Sequence, residues 1–369
     1  MSEPQFLFLL LALCIWSCQS APPARDLQMN EDQFQDWNQE TLDSFKQAIA
    51  TFPNGTEISI AHIRDSSAIF KGLRIQEDAL RPSDNQNSVF QIGSISKVFT
   101  SLMLAKMVEE GQLTLDDPIQ QFFEKPLHVE DTILIKQLAN HHSGMKRIPG
   151  SMIWQAFWNS SNPYKNFSSE DLEDYLHHTM KLDHDPGGKY AYSNLGAGTL
   201  GHILGKIKGG SYEELLQEYI AKPLDMTHTS SDHEQWPELL VEGKNAKGKT
   251  VPYWELPGLA GAGAIASTTE DMSRFAQYYL RDSSLAVKLQ LTETRKINDN
   301  MSIGLGWHIL HQVTDHPVFW HNGGTGGFRS SMVVDPMEQK AVVLLSNVSA
   351  GHPKAGKIDE LSLFLLDEI

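Results

Sequence analysis

Ser94 and Lys97 stand three residues apart where a helix is expected to begin, a spacing that puts a hydroxyl and an amine on one turn. They lie in QIGSISKVFTSLMLAKMVEEGQL. There the apolar Val89, Phe90 and Ile92 run into Gly93, and Val98, Phe99, Leu102, Met103, Leu104, Met107 and Val108 follow at helical spacing. A helix start offers unbonded N–H groups and the positive end of the dipole to a developing negative charge. A buried lysine with a lowered pKa can take the serine proton, as nucleophilic catalysis requires. The pattern S-x-x-K also arises by chance, with the serine as a helix cap and the lysine in solvent. The assignment therefore needs partners elsewhere in the chain.

Two stretches supply them. In Pro186-Gly187-Gly188-Lys189-Tyr190-Ala191-Tyr192-Ser193-Asn194, the glycines mark a turn and Leu195 begins an apolar helix, so Tyr192 and Asn194 stand on a loop two residues apart. A phenol can shuttle protons if positive neighbours lower its pKa, and an amide can hold a substrate carbonyl. The plainer alternative is a packed tyrosine with Asn194 as helix cap. In Trp320-His321-Asn322-Gly323-Gly324-Thr325-Gly326-Gly327-Phe328, His321 ends a β-like run and glycines follow at once. Glycine lets backbone approach a ligand closely and keeps its N–H available. A strand edge of this kind can supply one arm of an oxyanion hole, with the Ser94 N–H as the other. The plainer alternative is a glycine-rich hairpin with a structural histidine.

In this order the three motifs resemble the serine β-lactamase and penicillin-binding protein superfamily, in the branch of class C β-lactamases, secreted DD-carboxypeptidases and related esterases. That family carries S-x-x-K at a helix start, Y-x-N on a loop of a helical domain, and K-T-G or H-x-G on a strand. Further familial phrases are Gly111 to Pro118, His142-Ser143-Gly144, Pro223-Leu224-Asp225-Met226 and Ala264 to Met272, and the likeness spans roughly residues 35–368. It implies that Ser94 attacks a carbonyl to give an acyl-enzyme and that Lys97 helps deprotonate it. Tyr192 would relay the proton to the leaving group, with the base role between Lys97 and Tyr192 left open. Asn194, His321, Asn322 and Gly323 would bind substrate, and the N–H groups of Ser94 and Gly324 would form the oxyanion hole. No metal and no cofactor is implied. The implied substrates are D-Ala-D-Ala-type peptides or β-lactams, with an esterase or D-aminopeptidase as alternative and a non-catalytic cell-wall peptide binder as a further one.

Two positions depart from that pattern. His321 stands where class C β-lactamases have lysine, although DD-carboxypeptidases and D-aminopeptidases can have histidine. Asn322 stands where threonine or serine usually helps hold a carboxylate, and this strengthens the ester reading. An unperturbed histidine titrates near pH ~6.5, so penicillin acylation is expected to weaken from about pH 6 to 8.

The elements that must position these residues follow from the rest of the chain. A helix is expected over 31–50, strands over Glu57–Ile63 and Ser67–Leu73, and then the Ser94 helix. Residues 112–261 read as mostly helical, with a capping box at Ser267-Thr268-Thr269-Glu270 just beyond them. Strands are expected at Gly304–Leu310, Val318–His321, Ser330–Val334 and Ala341–Ser346, and a helix at Ile358–Leu366. The fold class is thus α+β and β-lactamase-like: an antiparallel sheet flanked by helices, shared by 31–111 and 262–369, with an inserted, mostly helical domain over 112–261.

The 369 residues, 40% hydrophobic and 21% charged, suit a large globular core, and the net charge of −16 argues against nucleic acid or anionic membrane as partner. Phe6 to Ile15 has the length of a secretory h-region, so 1–21 is expected to be a signal segment and 22–369 the exported domain, although no basic residue precedes the run. Both cysteines, Cys14 and Cys18, fall there, and Ile15-Trp16-Ser17-Cys18 resembles a lipoprotein box that would anchor the chain to a membrane through lipidated Cys18. His141-His142 and His177-His178 lack the spacing of a helical metal site and are expected to be solvated or capping.

Overall fold

The computed structural model describes residues 22–29, 37–152 and 158–368. The expected leader with Cys14 and Cys18, and the first turns of the helix expected over 31–50, lie outside them. One sheet is built from both ends of the chain. Its N-terminal strands are β1 (Gln28–Met29), β2 (Glu57–Arg64), β3 (Ser67–Gln76) and β4 (Ala79–Pro82). Its C-terminal strands are β5 (Arg295–Asn298), β6 (Met301–Ile303), β7 (His308–Leu310), β8 (Val318–Gly324), β9 (Arg329–Asp335) and β10 (Lys340–Ser346). They run in the order β1-β4-β3-β2-β10-β9-β8-β7-β6-β5. The pairing is antiparallel except where β1 meets β4. The seam pairs β2 with β10, from Ile58 opposite Ser346 to Arg64 opposite Lys340.

Alternation along the strands gives the sheet two apolar faces. Ile58, Ile60, Val333, Val342 and Leu344 share a core with residues of α1 (Gln39–Ile49), such as Phe45. Ala61, Ile63, Met332, Val334 and Val343 belong to the larger core. That core takes in α2 (Ser96–Glu109), α3 (Asn194–Lys208) and α4 (Thr269–Arg281). The last helix, α5 (Lys357–Asp367), returns to the α1 side through Ile358, Leu361 and Leu365. The α2 helix was expected to be amphipathic but is buried on nearly every side, Thr100, Ser101 and Ala105 included. It is the axle of the larger core, and Phe99 stacks on Phe275 of α4 with centroids 3.8 Å apart. Burying each such ring contributes about 1.5–3 kcal/mol.

The run expected as one strand over Gly304–Leu310 breaks into the β6–β7 turn, because Gly306 takes φ +79° and Gly304 N–H donates to the Trp307 carbonyl at 2.9 Å. The α4 cap sits one residue later than expected, with the Thr268 side chain accepting from Asp271 N–H.

Candidate active site

Ser94 lies in a single 3-10 turn, Gly93–Ile95, that leads directly into α2. Lys97, one turn on, is 2% exposed, and its Nζ stands 3.1 Å from Ser94 Oγ and 2.7 Å from the carbonyl oxygen of Ala262. Burial, with Arg147 nearby, holds the Lys97 pKa well below the usual lysine value. An uncharged amine can give one N–H to Ala262 and keep its lone pair for the serine proton.

Tyr192 stands close enough to Ser94 for that side chain to act on its phenol. Its ring lies under Lys97 Nζ, 4.8 Å from the centroid, and under the Arg147 guanidinium at 5.0 Å. The sequence reading required positive neighbours to lower this phenol. They are present, yet burial outweighs them and the Tyr192 pKa is pushed up to about 12. Tyr192 therefore holds its proton at neutral pH.

The loop carrying Tyr192 is tied down on both sides by His141. Ala191 N–H donates to the His141 carbonyl at 2.8 Å, and Ser193 N–H donates to His141 Nδ1 at 3.3 Å. The expectation of a solvated or capping His141 is thereby corrected: the side chain is 1% exposed, its ring centroid lies 4.3 Å from that of Tyr192, and its backbone has φ +60°. Burial favours the neutral ring by lowering the His141 pKa, and the Ser193 N–H selects the tautomer with Nδ1 bare. His142 is buried as well, whereas His177 and His178 close an exposed helix end, with Nδ1 atoms near the Pro126 and Asp174 carbonyls.

Asn194 is the first residue of α3, and Ser193 is its cap, accepting from Gly196 N–H at 2.8 Å. The Asn194 amide nitrogen donates to the Tyr164 hydroxyl at 3.0 Å, while its carbonyl oxygen is buried without a partner. Tyr164 packs against Trp254, centroids 5.4 Å apart, which adds an aromatic wall.

β8 passes the Ser94 turn so closely that two positions admit only glycine. A Cβ on Gly323 would fall 1.8 Å from the Ile92 carbonyl oxygen. One on Gly93, which has φ +50°, would fall 2.6 Å from Gly324 N. Thr325 N–H donates to Phe328 O at 2.9 Å. N–H groups alternate sides along a strand, so that of Gly324 points away from β9. The β7 register reaches only Trp320, and no β7 residue stands opposite Gly324. Gly324 N–H and the helix-start N–H of Ser94 thus border one small space.

His321 and Asn322 part company. His321 lies on the face turned toward the larger core, 1% exposed, with its pKa held well below the usual value by burial and by His308 and Lys97. The expected acid-favoured anion binding near neutral pH therefore has no charge to act through. Asn322 points to the opposite face, where its amide donates to Asp359 of α5 at 3.1 Å. It is not among the side chains gathered around Ser94, because strand alternation turns neighbours to opposite faces.

Arg147, His141, Tyr164, Tyr190 and His308 were not picked out from the sequence as site residues. His308 borders His321 with ring centroids 5.2 Å apart, and its Nε2 is 3.0 Å from the Tyr190 hydroxyl. Tyr190 precedes Tyr192 by two residues, an extended-chain spacing that puts both rings on one side; that signal was available.

The family described as Beta-lactamase matches residues 65–366. The D-alanyl-D-alanine-carboxypeptidase/endopeptidase AmpH of Escherichia coli (strain K12) is 26% identical over 368 residues, covering 90% of this chain and 88% of its own. The octameric penicillin-binding protein homologue from Pyrococcus abyssi superposes with a TM-score of 0.76 at 23% identity, over 89% of this chain and 76% of that one. A β-lactamase/D-alanine carboxypeptidase from Pseudomonas syringae gives 0.73 at 18% identity, over 88% and 97%.

Proposed function

Because the chain belongs to the Beta-lactamase family and is a serine hydrolase, we propose that it works through an acyl-enzyme on Ser94, with D-Ala-D-Ala-type peptides or β-lactams as substrates. The observation that carries this is the buried Lys97 amine, held well below the usual lysine pKa by burial, 3.1 Å from Ser94 Oγ. Ser94 Oγ bonds to the substrate carbonyl carbon as its proton passes to Lys97 Nζ. The negative charge forming on the carbonyl oxygen sits between the Ser94 and Gly324 N–H groups, each contributing about 3 kcal/mol by analogy with other such donors. The bond to the leaving group then breaks, and that group takes a proton from Tyr192, which regains one from Lys97. Water reverses the sequence to free the acid and Ser94. Lys97 is thus the base and Tyr192 the proton donor. Asn194 offers its unpartnered carbonyl oxygen to a substrate N–H, with Tyr164 fixing which end of the amide faces inward.

An ester substrate is the second reading, favoured by the uncharged His321 and by Asn322 being turned onto Asp359. Export belongs to the proposal through the apolar Phe6–Ile15 run, with Cys18 lipidation as its anchored form; among the described residues no helix is long and apolar enough to cross a membrane. The test is incubation with a fluorescent penicillin and with a fluorophosphonate, the adduct being located by peptide mass. Adducts on Ser94 from both are expected. Fluorophosphonate alone favours the ester reading, and no adduct from either on folded protein overturns the proposal.

A further inference from the structure

His321 Nδ1 lies 2.6 Å from the carbonyl oxygen of Asn322. A carbonyl only accepts, so Nδ1 bears the ring hydrogen and Nε2 of the neutral ring is left as a bare acceptor. That Nε2 is buried and meets no hydrogen-bond partner. The side chain shares its face of β8 with Gly323, which passes against the Ile92 carbonyl beside Ser94, so the ring lies on the face that meets the Ser94 turn. Besides burial, His308, Lys97 and Arg329 each oppose a second proton, the Asn322 carbonyl favours one, and no carboxylate is among the groups acting on the ring. His308, engaged with Tyr190 through Nε2, likewise keeps a buried Nδ1 without a partner. A buried acceptor of this kind is unfavourable until something donates to it.

We propose that His321 Nε2 is an acceptor subsite of the active site, filled by an uncharged hydrogen-bond donor of the substrate, an amide N–H or a hydroxyl, in preference to a free carboxylate. A carboxylate oxygen brought to this lone pair has no hydrogen to share and loses its water, whereas an amide or hydroxyl completes the bond. The inference rests on the acyl-enzyme reading above and narrows it: the preferred substrates are uncharged beside the scissile bond, as in an internal or amidated peptide or an ester.

The test compares N-acetyl-D-alanyl-D-alanine with its C-terminal carboxamide as protectants of the full chain against fluorophosphonate labelling of Ser94 at neutral pH. The carboxamide is expected to protect at roughly tenfold lower concentration, the scale of leaving a buried polar group unpaired. His321→Lys is expected to reverse the order. Should that variant fold poorly, His321→Gln, whose amide can also donate, is expected to bring the two peptides within about threefold of one another. Equal or better protection by the free carboxylate, or protection by neither, overturns the subsite while labelling leaves the nucleophile in place. Absence of labelling in the unprotected protein takes down the acylation reading and the inference with it.

Discussion

The two faces of β8 divide chemistry from architecture within seven residues. On the inner face, Gly323 passes the Ser94 turn, and the neighbouring His321 Nε2 is buried without a partner. On the outer face, Trp320 joins the α1/α5 core, and Asn322 and Arg329 both donate to Asp359, whose side chain is 13% exposed. A buried group bonded within the fold bears on stability, whereas a buried group left open toward a cleft bears on a ligand. Neighbouring residues of one motif, His321 and Asn322, thus face different surroundings.

That division can be broken by substitution. The largest effect is expected from Lys97→Met, which removes the proposed base. Fluorophosphonate acylation of Ser94 should fall about 10³-fold or more. The melting temperature should hold or rise, since a buried amine gives way to an apolar chain of similar length. Gly323→Ala comes next. Its methyl group has no room beside Ile92, so β8 must retreat from Ser94, lowering acylation about 10²-fold and stability by about 2–3 kcal/mol. Asp359→Ala removes a contact of the outer face. Leaving Arg329 and Asn322 without their acceptor should lower stability by about 3 kcal/mol in denaturant titrations, with acylation per folded molecule kept within about threefold. If Asp359→Ala instead abolished acylation at full stability, the two faces would not be separate.

The smallest effect is a flat line. The His321 pKa is depressed below 6.5, so the ring stays uncharged above that value. The ratio of wild-type to His321→Gln acylation rates should therefore not change between about pH 6 and 8. A ratio that falls through this range would restore the charged role that the sequence alone suggested.

Much of the fold could be read from the chain, because long apolar runs at period two or 3.6 survive any detail of packing. β2, β9, β10 and α5 lie within a few residues of their expected spans. The nearness of Ser94, Lys97 and Tyr192 was legible through motif order. Less legible was whatever depends on which way a residue faces or how deeply it sits. The face of Asn322 is set by the pairing of β8 with β9, and pairing register is not local. The protonation of Tyr192 is decided by burial against Ser94 and Arg147, both distant from it in the chain. His141 looked like one of an adjacent pair because nothing local says that its carbonyl and ring would both hold the Tyr192 loop.

The claim at the centre is that an uncharged Lys97 takes the Ser94 proton, and the rate of Ser94 acylation as a function of pH tests it most directly. The amine acts only when unprotonated, and its pKa lies well below 10.5 because burial penalises the ammonium. The rate should rise to a plateau well short of pH 10.5 and hold it, since Tyr192 keeps its proton up to about 12. A rate that climbs all the way through pH 10.5, as for a lysine charged at neutral pH, would contradict the account.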